Sequence, residues 1–275
     1  MTEIGFFPPP HYAPGEHIIF EKPEHTEWTI IAKLSQRNSQ KEEVDIQAGL
    51  GPSYALATFR VRSDLDSQEA YMRVYLQVPN KGTEFFPPDE RAKQAAPSHH
   101  REVEAIKAFY KQESTITPAL LAIKEDIQDK QGFIPGGYVI HIVFQHVPGV
   151  RLAEDRLLPG WGAPLHTFFQ KFNDLQREQI RMWFDKEYRK LMELGWVPSF
   201  PWASNLIWDA SFSKLYFVDF REARKAGSRD EDVVDDGDEE EEEEEVPMCE
   251  IWGAWGLAIA PDSPKDRADL SKWKL

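Results

Sequence analysis

The sequence predicts an α+β chain in two parts, and three observations carry that expectation. Strand-like runs rich in β-branched and aromatic residues crowd residues 28–147. Helical spacing takes over beyond residue 147. The 275 residues are 41% hydrophobic and include nine tryptophans, enough to bury one good-sized core or two lobes.

Residues 1–27 read as an N-terminal arm, with FFPPP, several histidines and no period of either kind. Pro8-Pro9-Pro10 suits a short polyproline turn of the kind an SH3-like groove accepts; an arm that packs or frays is the simpler expectation. Trp28–Leu34 is a strand by composition, Ser35–Glu43 a polar connection and Tyr54–Val61 a second strand. Ala70–Pro79, AYMRVYLQVP, is a strong strand by its β-branched and aromatic content. A loop rich in Pro, Lys and Glu (Asn80–Pro97) leads to a helix with Ser98 as N-cap and Val103, Ile106, Phe109 and Tyr110 as its apolar stripe. Thr117-Pro118 closes that segment. Leu120–Gln128 and Tyr138–Val147 follow as two strands joined by GFIPGG. Asn173 and Gln176 offer a capping box for a long helix to Leu194, whose core stripe is Ile180, Trp183, Phe184, Tyr188, Leu191 and Met192. A proline-marked loop then delivers a hairpin, Asn205–Trp208 and Leu215–Phe220, around turn residues Asp209–Lys214.

Charge and composition narrow the function classes. Of the net charge of −15, most comes from Asp230–Glu245, which holds 13 of the 47 acids; the remaining 34 face 32 Lys plus Arg, a nearly neutral body. A block that repels itself and has little to bury is expected to be disordered and dispensable for folding. It is either a solubilising loop or a docking tract for a basic protein partner. No basic patch is interleaved with aromatics, so nucleic acid is not an expected ligand. The single Cys249 rules out an internal disulfide and suits a reducing compartment. No secretory signal is expected, and the longest apolar run, Ile251–Ala260, is about half a membrane span, so no membrane association and a cytoplasmic or nuclear location are expected. Gly-x-Ser-x-Gly, HExxH, P-loop and paired CxxC patterns are absent. No Cys/His/Asp group has metal spacing, so His141 and His146 read as structural.

In their order these motifs resemble a protein-kinase domain in degenerate form. VFQHVPGVRL is similar to the fifth strand and hinge, REVEAIKAF to the regulatory helix, PSFPWASN to the catalytic loop and Asp219-Phe220-Arg221 to the Asp-Phe-Gly segment. The AYMRVYLQVP strand resembles that of small kinase-like proteins of fungal genomes. The resemblance covers residues 28–260. It implies a two-lobe protein-kinase-like fold, with an antiparallel-sheet N lobe and hinge over 28–147. A shortened helical C lobe would fill 148–275, interrupted by the acidic insert 228–246. Glu250-Ile-Trp-Gly-Ala-Trp-Gly-Leu resembles the buried central helix of that lobe.

The same resemblance implies a site. Arg73 stands where the family has its phosphate-contacting Lys, and Glu102 where the regulatory helix offers an ion-pairing acid. Arginine keeps the charge but is planar and longer, and a strand arginine that only salt-bridges is the equal alternative. Phe144 falls on the gatekeeper position, and Gln145, His146 and Val147 on the hinge that would bond adenine through its backbone. Only Gly49 and Gly51 are available for a phosphate loop. Asn205 and Asp219 match the metal ligands, with ATP and Mg as the implied cofactors; an Asp that only caps the next turn is the alternative. Phe200 occupies the position of the catalytic Asp and has no lone pair to accept a proton, so no catalytic residue is assigned. Ser199 and Ser204 lack an activating partner, and Arg221 replaces the glycine that makes this segment flexible. The leading expectation is a catalytically impaired kinase-like binding or scaffold protein. The alternatives are an atypical phosphotransferase on a small molecule or protein, and a binder of basic proteins acting through the acidic tract.

Overall fold

Alternation along one strand organises the first half of the protein. In the computed structural model, which describes residues 5–154, 164–227 and 246–275, six strands pair into one antiparallel sheet. They are β1 (His17–Phe20), β2 (Thr26–Ser39), β3 (Tyr54–Ser63), β4 (Glu69–Gln77), β5 (Leu120–Ile127) and β6 (Tyr138–Gln145), in the order β1-β2-β3-β4-β6-β5. In β4, Ala70, Met72, Val74 and Leu76 point to one face, where they join Phe59, Val61, Ala122 and Val143 in an apolar core. Tyr71, Arg73, Tyr75 and Gln77 take the other face by the period of two.

The N-terminal arm packs. Phe6 and Phe7 are buried in the core of this sheet, Phe6 meeting Phe133 edge-on at 5.0 Å between ring centroids. Tyr12 stacks on Phe59 at 5.5 Å. β2 runs five residues beyond the expected Leu34, because the polar Ser35–Ser39 stretch continues to pair with Tyr54–Thr58 of β3 while its side chains stay on the surface or half-buried. Two register shifts, at Ile30/Ala32 and Lys33/Ser35, bend it on the way.

The connections carry three helices: α1 (Glu43–Gln47), α2 (Pro88–Ala92) and α3 (Arg101–Lys111). Two buried amides tie the long loops to the sheet. Gln128 donates through Nε2 to the carbonyls of Gln77 (2.8 Å) and Tyr138 (3.1 Å), and its Oε1 accepts from Ile134 N–H at 3.1 Å. Gln77 donates to the Gln94 carbonyl at 2.6 Å and accepts from Ala96 N–H at 3.2 Å. A Cβ at Gly137 would lie 2.6 Å from Gln77 Oε1, so glycine is needed there for close approach.

The chain divides into two units, Met1–Val103 with Ala119–His146 and Glu104–Pro118 with Val147–Leu275, and the division passes through α3. The second unit is built on β7 (Val150–Arg151), α4 (Pro164–Lys171), α5 (Asp174–Glu193), β8 (Trp196–Pro198), β9 (Leu206–Asp209), β10 (Lys214–Phe217), β11 (Ala223–Lys225) and α6 (Met248–Ala254). The capping box of α5 is present: Gln176 N–H donates to Asn173 Oδ1 and Asn173 N–H to Gln176 Oε1, both at 3.0 Å. Ile180, Phe184 and Leu191 are fully buried against Phe217, Trp255 and Leu257. Met192, expected on the same stripe, is 37% exposed because it falls one position past Leu191 and off the buried face.

β9 and β10 form the expected hairpin, with Asp209 opposite Lys214 and Leu206 opposite Phe217, and β7 adds to its edge. Gly149 makes that addition possible. Its φ is +115°, and a Cβ there would lie 2.4 Å from the Trp208 carbonyl oxygen. β10 stops at Phe217 rather than Phe220, since Asp219 turns to φ +64°. The segment expected as a buried central helix is instead the seven-residue α6, which has no fully buried residue; burial begins after it at Trp255 and Leu257. The acidic tract Asp230–Glu245 lies outside the described residues.

Candidate functional site

The first constellation belongs to the first unit. β4 places Arg73 opposite Thr58 of β3 and Ile142 of β6, deep in the sheet. Arg73 Nη1 donates to Glu102 Oε1 from the first turn of α3, and Tyr75 donates its hydroxyl to the other oxygen, Oε2. The Arg73 side chain is 13% exposed and that of Glu102 only 2%. A charge so buried is tolerated only with its partners in place, and here both carboxylate oxygens are engaged. Burial, and then the charge of Glu102, raise the Tyr75 hydroxyl well above the ordinary phenol range, which keeps it a donor. Arg73 also lies over the Phe144 ring, 5.1 Å from its centroid.

Around this pair sits a cluster of rings. His100 stacks on Tyr75 at 4.1 Å between centroids, and its Nε2 is 3.1 Å from the Tyr138 hydroxyl. Burial first, then the charges of Lys41 and His99, lower His100 to about 3, so it is neutral.

The expected hinge residues follow along the chain. Phe144 is buried on β6, the Gln145 N–H is engaged by the Ala119 carbonyl at 2.9 Å, and His146 presents its ring edge-on to Tyr71 at 5.1 Å. Val147 packs with Tyr216 and Val218 in the second unit.

The second constellation belongs to the second unit. Phe200 is 53% exposed, its ring tilted against Trp202 at 5.4 Å. Its carbonyl accepts from the Asn205 side-chain amide at 2.9 Å and from Trp202 N–H at 3.0 Å. Asn205 is buried in a short 3-10 turn, Ala203–Asn205, and its own carbonyl accepts from Val218 N–H at 2.8 Å. That bond sets Asn205 beside the strand leading to Asp219.

Asp219 does not stand open. Arg221 donates from Nε to Oδ1 and from Nη2 to Oδ2, a two-pronged clamp formed two residues along the same loop. The left-handed backbone at Asp219, a conformation unfavourable for residues other than glycine, turns its carboxylate into this arrangement. Magnesium requires a near-octahedral set of oxygens. A carboxylate already neutralised by a guanidinium does not fit that requirement, whereas the bond from Asn205 to Phe200 uses the amide nitrogen Nδ2 and not Oδ1, the atom a cation would take. No metal-dependent step is derived from these residues.

Arg73 and Glu102, paired as expected, are thus brought together. Tyr75 carries no motif signal, although it lies two residues from Arg73 and period-two alternation puts it on the same face. Arg221 was legible only as a missing glycine; its role as the partner of Asp219 depends on a backbone angle. Among the described residues a further group, His17, Glu27 and Asp64, converges from three parts of the chain and could not be found by spacing.

Among the described residues no helix is long and apolar enough to cross a membrane. No family model matches the sequence, and comparison with curated proteins finds no match. Among solved structures the chain is similar to the Cydia pomonella Granulovirus kinase PK-1, with 11% sequence identity and a TM-score of 0.41, over 73% of this chain and 53% of that one. The chain therefore spans about half the length of that kinase, and a likeness of this strength assigns no chemistry.

Proposed function

We propose that the protein is a kinase-like binding or scaffold protein that has lost metal-dependent phosphotransfer. The observation that carries this reading is the clamp of Arg221 on both oxygens of Asp219. Phe200 in place of a proton acceptor points the same way, since losing a general base costs a rate factor of about 10²–10⁴. Arg73 and Glu102 support the kinase-like part: a cation on this strand paired with an acid on the following helix is what the resemblance implies. On this reading ATP remains a candidate ligand, with Arg73 as the phosphate contact that the resemblance implies.

The test is calorimetric titration of the full chain with ATP, with and without Mg²⁺, alongside Arg221→Gly. The expected result is an affinity insensitive to Mg²⁺ and no turnover, with Arg221→Gly making binding Mg²⁺-dependent. Mg²⁺-dependent turnover by the unmodified chain that Asp219→Ala abolishes would overturn the reading in favour of an active enzyme.

A further inference from the structure

We propose that His17, Glu27 and Asp64 form a binding site for a transition-metal dication of the zinc class, on the outer part of the first sheet. The site is assembled by sheet register. His17 opens β1 and is directly opposite Thr29 of β2. Glu27 lies two residues before Thr29, on the same face of that strand. Asp64 follows β3, its N–H bonded to the Glu27 carbonyl at 3.1 Å.

Three donors of two chemical kinds converge there. His17 Nδ1 lies 2.9 Å from Asp64 Oδ2 and 3.2 Å from Glu27 Oε1, and one ligand atom from each of the three residues falls within 4.8 Å of the others. A tetrahedral zinc with bonds of about 2.0–2.1 Å separates its ligand atoms by roughly 3.3 Å, so the observed spacings need only small side-chain shifts. Thr29 Oγ1 donates to the second Asp64 oxygen at 2.5 Å and holds that carboxylate in orientation, as outer partners of metal ligands do. Two carboxylates drawn to one imidazole nitrogen repel each other, and a dication offsets that repulsion.

The donor set selects the metal. One imidazole nitrogen with two carboxylates suits zinc, whereas calcium and magnesium take all-oxygen shells of six or more ligands. Three protein ligands leave a fourth position, and the exposure of His17 (53%) and Glu27 (45%) gives solvent or a ligand access to it. A second, independent feature adjoins the site. His17 also lines a cavity of about 740 Å³, and so does His141, which is 7% exposed and has a ring nitrogen, Nδ1, without a hydrogen-bond partner. A buried polar atom left unsatisfied beside such a space fits a small polar ligand in the cavity that His17 borders.

The experiment titrates the metal-free full chain with Zn²⁺ by calorimetry, and with Co²⁺ by visible absorption. The expected result is one equivalent bound, a four-coordinate Co²⁺ spectrum, and no competition from Mg²⁺ or Ca²⁺. His17→Ala should weaken binding at least tenfold, and Thr29→Val by about 10–100-fold, the usual effect of removing an outer partner. Because His17 is exposed, His17→Ala should keep the metal-free melting temperature, and that check separates a lost ligand from a lost fold. Absence of stoichiometric binding, or equal affinity in His17→Ala, would overturn the proposal and leave an ordinary surface ion pair. The outcome is independent of the Asp219–Arg221 reading, which concerns the other unit.

Discussion

Arg73–Glu102 and Asp219–Arg221 are both arginine–carboxylate pairs, made in opposite ways. The first joins a strand to a helix 29 residues away, with the carboxylate 2% exposed and a tyrosine on its second oxygen. The second closes within three residues of one loop, its partners 16% and 34% exposed. Water can replace a guanidinium at the second pair but not at the first. One pair is therefore a condition of the local fold, and the other sets the chemistry of a carboxylate while contributing little to stability.

Removing one partner of each pair is the sharpest way to break this contrast. Arg73→Ala leaves the Glu102 charge buried and should cost about 3–5 kcal/mol in denaturant unfolding. The double change Arg73→Met with Glu102→Leu removes both charges and should recover most of that loss. A cost below about 1 kcal/mol for Arg73→Ala would place this pair in the same class as an exposed one.

Acid should act next most strongly, and on the first unit. His100 is lowered to about 3, and His141 to about 4, the latter by burial, then by Lys124 and against the opposing charge of Asp126. Tyr12, whose hydroxyl is 3.1 Å from His141 Nε2, is the other titratable group facing it. In the unfolded chain both imidazoles take up protons near pH 6.5. Below about pH 6.5 the unfolded state then binds more protons, down to about 4 for His141 and about 3 for His100, so this contribution is complete above that window and is lost as pH falls through it. The melting temperature should decline by several degrees across it, and His100→Phe and His141→Phe should each flatten part of the decline. Identical slopes in both variants would assign the acid sensitivity to carboxylates elsewhere.

The smallest effect belongs to the second pair. Arg221→Ala should change stability by less than about 1 kcal/mol, as measured by denaturant unfolding. Asp219→Gly should be close to neutral, because glycine relieves the φ of +64° while the ion pair is lost. A large loss in either variant would mean that the loop is a structural keystone and that the contrast drawn here fails.

How far these features can be read from sequence depends on how local their causes are. The α5 helix is legible from its start because Asn173 and Gln176 satisfy each other three residues apart. β4 is legible because its apolar residues alternate. The length of β2 is not, since Ser35–Ser39 are polar and only the facing strand gives them a reason to stay extended. α6 is overestimated because Trp252 within it and Trp255 beyond it both look like core, while burial is concentrated at Trp255, just past its end. In the site, Arg73 and Glu102 are legible through motif position. The clamp on Asp219 is hidden behind a backbone angle, and the His17–Glu27–Asp64 group behind the register of three strands. The acidic tract is legible as composition alone.

The paired amides of Gln77 and Gln128 have a consequence for how this chain can vary. Surface loops ordinarily accept insertions and deletions, because their length is not tied to anything buried. Here the carbonyl of Gln94 and the amides of Ala96 and Ile134 must arrive at fixed points beneath the sheet. Adding a single residue between Gln94 and Ala96, or between Gln128 and Ile134, would shift those groups out of reach and leave buried donors and acceptors unpaired. Two stretches that look like spacers are thus fixed in length as strictly as the strands they connect, and natural variation in length should collect at the loop tips beyond these anchor points.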